Sequence, residues 1–287
     1  MPEQLPPTID PVAAARWHAR LAQPAPWLHE EVARRMHERL SWIVRPPASW
    51  CDWDPLRGGV EGHALVAAHF PRAVCYLNET SSPAGLAEAR RRFARPWWSG
   101  AHWRAPAQHF GAPPQAGVQM LWANMALHMA ASPQALLGQW QRALGVDGYL
   151  MFSCLGPDTL RELRALYAAL AWGVPGHQFT DMHDWGDMLL GAGFAEPVMD
   201  MERITLTFAT PGRLLAELRG LGRNLHGERL GVLRGRGWRA RLEQALQEQL
   251  AGPDGTLALT FEVIYGHAFK AAPRAPIRIT KRSGGPL

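Results

Sequence analysis

Apolar positions along the chain switch between two spacings. Val118–Ala123 and Tyr149–Cys154 are short continuous apolar runs, each bounded by turn residues. Runs this short, separated by a helical segment, predict buried parallel strands joined by a crossover. The intervening helix opens with Ser132 as N-cap and Pro133 at the first helical position. Leu136, Leu137, Trp140 and Leu144 keep one of its faces apolar, and Gly145-Val146-Asp147-Gly148 reads as the turn into the second strand.

The same reading extends along the chain. It predicts helices over Val12–Leu21, Trp27–Leu40, His63–His69, Pro83–Phe93, Pro211–Leu221 and Trp238–Leu250. It predicts strands near Trp50–Trp53 and Ala73–Leu77, a third within 97–114, a long strand ending at Phe208, and a closing strand over Thr260–Phe269. Strands alternating with helices predict an α/β fold. Three segments follow: a helical start over 1–45, a main domain over 46–270 with helical cap insertions, and a basic tail over 271–287 expected to be disordered.

Composition narrows the class. The 287 residues are 47% hydrophobic and 19% charged, enough to bury a full core. No apolar run is long enough to span a membrane, and MPEQLPPTIDP carries no signal-peptide pattern, so a cytoplasmic protein is expected. Cys51, Cys75 and Cys154 suit buried free thiols, and none shows metal-ligand spacing. The net charge is +5 with only Lys270 and Lys281 as lysines; the rest are arginines spread over helices. That spread fits solvated helix faces, or a surface for an acidic partner. No nucleic-acid-binding motif appears.

Several segments carry a family resemblance. Asn124-Met125-Ala126-Leu127-His128 and Gly148-Tyr149-Leu150-Met151-Phe152-Ser153 resemble the fourth and fifth strands of class I S-adenosylmethionine (SAM) dependent methyltransferases. Gly156-Pro157-Asp158-Thr159-Leu160-Arg161-Glu162-Leu163 is narrower. Together with LHEEVARRMHERL and the run from Asp181 to His267, it resembles the malonyl-acyl-carrier-protein O-methyltransferases of biotin synthesis, the BioC family. The resemblance covers about residues 10 to 270. It implies a Rossmann-like, mostly parallel seven-stranded sheet with helices on both faces, SAM as cofactor, and malonyl-acyl carrier protein as substrate.

It also implies site residues. The Gly-rich turn of the family corresponds to Asp52-Trp53-Asp54-Pro55-Leu56-Arg57-Gly58-Gly59, which holds acid and glycine in a different order. Asp52, Gly58, Gly59 and Asn124 are the implied cofactor contacts, with Glu79, just past the second strand, on the ribose hydroxyls. A loop acid or helix cap is the plain alternative for Glu79. The usual adenine-gripping acid is absent between Trp97 and Gln119; a backbone carbonyl, Gln108 or His109 are substitutes. The Tyr-Asp pair usual upstream is replaced by Ala25-Pro26-Trp27.

Methyl transfer to an ionised carboxylate relies on in-line positioning and desolvation more than on acid-base help. Arg203, His183, Asn224 and His267 are the candidates to orient that carboxylate. The altered turn keeps a second reading open, a methyltransferase-fold module that has lost SAM and acts through binding.

Overall fold

The computed structural model describes residues 8–20, 25–95, 97–98, 100, 105–229 and 235–272. The expected basic tail lies outside them from residue 273 onward. Two helices, α1 (Pro11–His18) and α2 (Trp27–Glu38), lead through a 3-10 turn into β1 (Ser49–Trp53). A one-turn helix α3 (Pro55–Gly58), helix α4 (Val60–His69), β2 (Val74–Asn78), α5 (Pro83–Phe93) and β3 (Gln108–Phe110) follow. Next come β4 (Val118–Ala123), α6 (Pro133–Ala143), β5 (Leu144–Leu155), α7 (Arg161–Ala169) and α8 (Met182–Gly191). The chain closes with β6 (Phe194–Phe208), α9 (Pro211–Leu221), α10 (Arg236–Leu250) and β7 (Leu257–Lys270).

The strands form one seven-stranded sheet in the order β3-β2-β1-β4-β5-β7-β6. β1 to β5 run parallel, and β7 is antiparallel to both β5 and β6. The expected architecture is therefore present. The order reverses between β1 and β4, so the carboxyl ends of these strands form the crevice where open α/β sheets bind ligands.

Strand alternation fills both faces. Trp50, Met120, Trp122 and Met151 join one core layer with Leu28, Val32 and Met36 of α2. Cys51, Leu121, Leu150 and Phe152 join the other with Leu137 and Trp140 of α6 and Trp185 of α8.

Two local expectations are corrected. Ser132 makes no side-chain cap to α6, so Pro133 alone marks that start. Gly145–Gly148 lies inside β5, where the register to β4 shifts between Val118 and Met120, and Asp147 takes φ 61°. The irregularity is absorbed within the strand, as a bulge absorbs extra residues without breaking the ladder.

Candidate functional site

A cavity of about 690 Å³ opens at the carboxyl ends of β1, β2 and β4, inside the roughly 300–1,000 Å³ of small-molecule sites. Trp53 and Asp54 follow β1 into it, Thr80 follows β2, and Asn124 and Met125 follow β4. Its cover comes from the amino-terminal helices. The Arg57 guanidinium donates to the carbonyls of Trp17 at 3.2 Å and Arg20 at 2.7 Å, and it lies over the Trp17 ring at 5.2 Å. Arg223 lies over the same ring at 5.5 Å, and His18 Nε2 meets the Thr80 hydroxyl at 2.7 Å. These contacts seat the end of α1 across the cavity.

The turn after β1 is closed by the protein's own carboxylates. Asp54 sits in the left-handed region at φ 54°, a conformation Asp tolerates better than most residues. Its Oδ1 accepts from the Thr80 backbone N–H at 3.0 Å and the Thr80 hydroxyl at 2.7 Å. Glu79 accepts from the Ser81 hydroxyl at 2.5 Å and from Leu56 N–H at 3.4 Å. Burial, helped by the nearby Asp54 charge, pushes the Glu79 carboxyl up. Glu30 of α2 accepts from the N–H groups of Val60 at 2.8 Å and Gly62 at 3.0 Å, occupying the amino end of α4. Gly59 is required here on two counts: its φ is 126°, and a Cβ would stand 2.5 Å from Glu30 Oε2.

The turn after β4 is built from neutral groups. Asn124, only 1% exposed, donates to the carbonyls of His29 at 2.8 Å and of Gly58, and its Oδ1 accepts from the Ser153 hydroxyl at 2.6 Å. One side chain thus ties α2, the β1 turn and β5 together. Met125 is held at φ 55° by its N–H bonds to Ser153.

Sequence reading missed His29. Its ring Nδ1–H donates to the Arg57 carbonyl at 2.7 Å, which leaves Nε2 as a bare acceptor. The residue is 5% exposed and lines the cavity, and Nε2 has no partner among the described residues. Burial pushes its pKa down to about 4, so the imidazole is neutral at neutral pH. Nothing in LHEEV signals this, because the Nδ1 partner is a backbone carbonyl on a distant turn.

The remaining candidates scatter. Asp52 points to the face opposite Cys51 and pairs with His63 Nδ1 at 2.7 Å beneath α4, away from the cavity. Gln108 and His109 belong to β3, where His109 stacks on Tyr76 at 4.8 Å; neither lines the cavity. Arg203 on β6 is paired with Asp158 at 2.7 Å, and His183 is an exposed residue at the start of α8, bonded to its cap Asp181. His267 packs between Tyr149 and Phe269 on β7. Asn224 donates to the Val174 carbonyl at 2.8 Å and lines a second cavity beside the first. In place of Arg203 and His183, the rim of the first cavity carries Arg20, Arg219 and Arg223. Burial and the charges of Arg20 and Arg219 lower the pKa of Arg223.

No protein-family profile matches the chain. Among solved structures, a candidate methyltransferase from Bacillus halodurans C-125 superposes with a TM-score of 0.50 at 15% identity, over 82% of this chain and 99% of that one, a likeness of fold. Sequence relatives go further. The malonyl-[acyl-carrier protein] O-methyltransferase of Laribacter hongkongensis is 37% identical over 86% of this chain and 84% of its own length. That of Gallionella capsiferriformans is 36% identical over 86% and 85%, and that of Halorhodospira halophila 34% over 84% and 81%. With identity of 34–37% over 84–86% of its length to such relatives, the chain belongs to the malonyl-[acyl-carrier protein] O-methyltransferase family.

Proposed function

We propose that the chain is a SAM-dependent methyltransferase of biotin synthesis, esterifying the free carboxylate of a malonyl group carried on acyl carrier protein. The observation that carries this reading is the arginine-rimmed cavity at the β1/β4 switch point of a chain of this family. When bound, SAM would supply a methyl group on a sulfonium, whose carbon would pass to the carboxylate oxygen with the S–C electron pair left on sulfur.

The residues present fit that cofactor at its amino-acid end. His29 Nε2, a buried acceptor without a protein partner, suits an ammonium group. Asp54, on the cavity wall with Oδ1 already held by Thr80, offers its other oxygen to ribose hydroxyls. Glu79 supports the turn from behind through Leu56 and Ser81. Asn124 positions rather than binds, since both of its amide hydrogens go to backbone carbonyls. Gly58 and Gly59 shape the turn between Asn124 and Glu30.

Arg219 and Arg223 hold the substrate carboxylate at the rim, and Trp17, clamped by Arg57, excludes water above it. A cationic rim also suits an acidic carrier protein, whose approach it would steer. No described helix is long and apolar enough to cross a membrane. Three buried free thiols accord with the reducing cytoplasm, where we place the reaction. The alternative of a module without SAM is not favoured by the family relationship.

Calorimetry with S-adenosylhomocysteine, followed by methyl transfer from labelled SAM to malonyl-carrier protein, tests the reading. Saturable binding and a carrier-bound methyl ester are expected. Absence of both at millimolar ligand rejects it.

A further inference from the structure

A groove of about 900 Å³ lies at the amino ends of β4 and β5, the opposite end of the sheet from the first cavity. One wall is the segment from Arg39 to Pro47 that joins α2 to β1; the other is the adjoining face of β5, β7 and β6. Its apolar lining is open to solvent: Trp42 is 73% exposed, Val44 98%, Val198 59% and Val146 50%. Apolar side chains this exposed and this close together mark a surface that another group covers. Two acids stand in the same groove. Asp147 and Glu196 both take left-handed φ, 61° and 51°, where the registers of β5 and β6 shift. Bulges of this kind re-aim a side chain. Among the described residues, neither carboxylate accepts a hydrogen bond or joins an ion pair. Two of the groove's cations are engaged: Arg39 pairs with Asp200 at 2.5 Å, and Lys270 donates to the Leu144 carbonyl at 2.7 Å. That leaves Arg45 against two free acids.

The chain itself supplies a match. Ala271 and Ala272, the last described residues, line the groove, so the residues that follow set out from inside it. They begin Pro273-Arg274-Ala275-Pro276-Ile277-Arg278-Ile279, and residues 273–287 carry Arg274, Arg278, Lys281 and Arg282 with no acid. Prolines three apart favour polyproline II, which repeats every three residues. In that form Pro273, Pro276 and Ile279 fall on one edge and Ala275, Arg278 and Lys281 on the next, an apolar edge beside a basic one. Pro-rich segments dock in aromatic-lined grooves because their extended form is preset and little entropy is lost on binding. An acidic occupant would meet Asp147 and Glu196 with like charge, and a purely aliphatic one would bury them unpaired.

We propose that residues 273–279 of this chain lie in this groove as a polyproline II strand. The edge formed by Pro273, Pro276 and Ile279 covers Trp42, Val146 and Val198, and Arg278 meets the free acids. Seven residues in this form extend about 22 Å, enough to run from the end of β7 along the groove. The docked segment bridges the two walls and fastens the link between α2 and β1 to the last strand.

The test is limited trypsin digestion of the full chain, read by mass spectrometry. The bond after Arg278 falls within the docked segment, while the bond after Arg282 lies beyond it and gives an internal reference. Trp42→Ala removes an aromatic wall, and Glu196→Gln removes one charge. Both positions are exposed, so both variants should keep the fold, as circular dichroism will report. Should Trp42→Ala unfold, Val44→Arg, which sets a like charge on the same wall at a 98% exposed position, takes its place. The ratio of cleavage after Arg278 to cleavage after Arg282 should rise about tenfold in Trp42→Ala or Val44→Arg and about threefold in Glu196→Gln, since cleavage follows the population of the undocked segment. Equal ratios in wild type and the folded variants overturn the assignment. So does a wild-type ratio that falls as protein concentration rises, which would put each tail in the groove of a second copy.

Discussion

The turns after β1 and β4 lie side by side at the same sheet edge, yet they are built on opposite principles. The β1 turn is crowded with charge: Glu30 on the amino end of α4, Glu79 on Leu56, and Asp54 on Thr80. The β4 turn holds its shape with one neutral amide, Asn124, bonded to carbonyls and to Ser153. Where backbone N–H groups are already taken by internal carboxylates, a ligand must find its partners elsewhere. The side chains that line the cavity there come from the amino-terminal helices, from α9 and from the segment after it, with His29, Arg219 and Arg223 the ones proposed as contacts. The difference teaches that the β1 turn is scaffold except at Asp54, the one of its carboxylates that lines the cavity, and the variants below separate scaffold from contact.

The largest expected effect is on stability against acid. His29 and His177 are held at about 4, against 6.5 ordinarily, by burial. A depressed histidine contributes stability that is present above pH 6.5 and is lost as the pH falls toward its folded value. Each contributes about 3 kcal/mol on that basis. Asp52 and Glu79, raised by burial, act in the opposite sense and lose stability as the pH rises through their folded values. Urea unfolding at neutral pH and near pH 4 should show a fall over that interval that shrinks in His29→Phe and His177→Phe, and an equal fall in those variants would mean the rings are solvated.

Next in size is the amide that anchors the β4 turn. Asn124→Ala leaves the carbonyls of His29 and Gly58 and the Ser153 hydroxyl without their partner in a site that is 1% exposed. A loss of about 2–3 kcal/mol in unfolding free energy is expected. A loss no greater than that of a surface substitution would remove the Asn124 tie from the account of the site.

Much of the fold was legible from the chain alone, for reasons tied to particular residues. Val118–Ala123, Pro83–Phe93 and Pro211–Leu221 begin and end as the pattern predicts, because apolar runs and Pro at the first helical turn are local signals. Less of the site was legible. Asn124, expected as a cofactor contact from its place after a strand, commits its amide to three internal bonds to elements far apart in sequence. Asp52 looked like the acid of the turn, and strand alternation turned it toward His63. Arg203 on β6 pairs with Asp158, whereas Arg219 at the end of α9 and Arg223 just beyond it reach the rim, a difference that only the packing of that helix decides. His29 required a tautomer fixed by the Arg57 carbonyl, which no local pattern contains.

A smaller effect is expected at His29 itself. His29→Phe preserves the buried ring and removes both the Nε2 acceptor and the Nδ1–H bond to the Arg57 carbonyl. Affinity for S-adenosylhomocysteine should fall about tenfold, close to 1.4 kcal/mol, the scale of one hydrogen bond to a charged group. His29→Gln, which can offer an oxygen acceptor, should recover part of it. Equal affinity in wild type and His29→Phe by calorimetry would move the ammonium contact elsewhere.

The smallest expected effect is also the sharpest divider between the two turns. The family resemblance puts Glu79 on the ribose, but its carboxylate faces Ser81 and Leu56 and does not line the cavity. Glu79→Gln keeps an oxygen for the Ser81 hydroxyl and should leave S-adenosylhomocysteine affinity within about twofold of wild type. Asp54 does line the cavity, with Oδ1 already held by Thr80. Asp54→Asn retains the small polar side chain suited to φ 54° and loses only the charge. It should weaken binding by about 1 kcal/mol, the typical net worth of one hydrogen bond, since the amide oxygen remains as a weaker acceptor. The paired measurement decides which acid acts: a strong loss in Glu79→Gln with none in Asp54→Asn would return the ribose to the end of β2 and leave the β1 turn as scaffold alone.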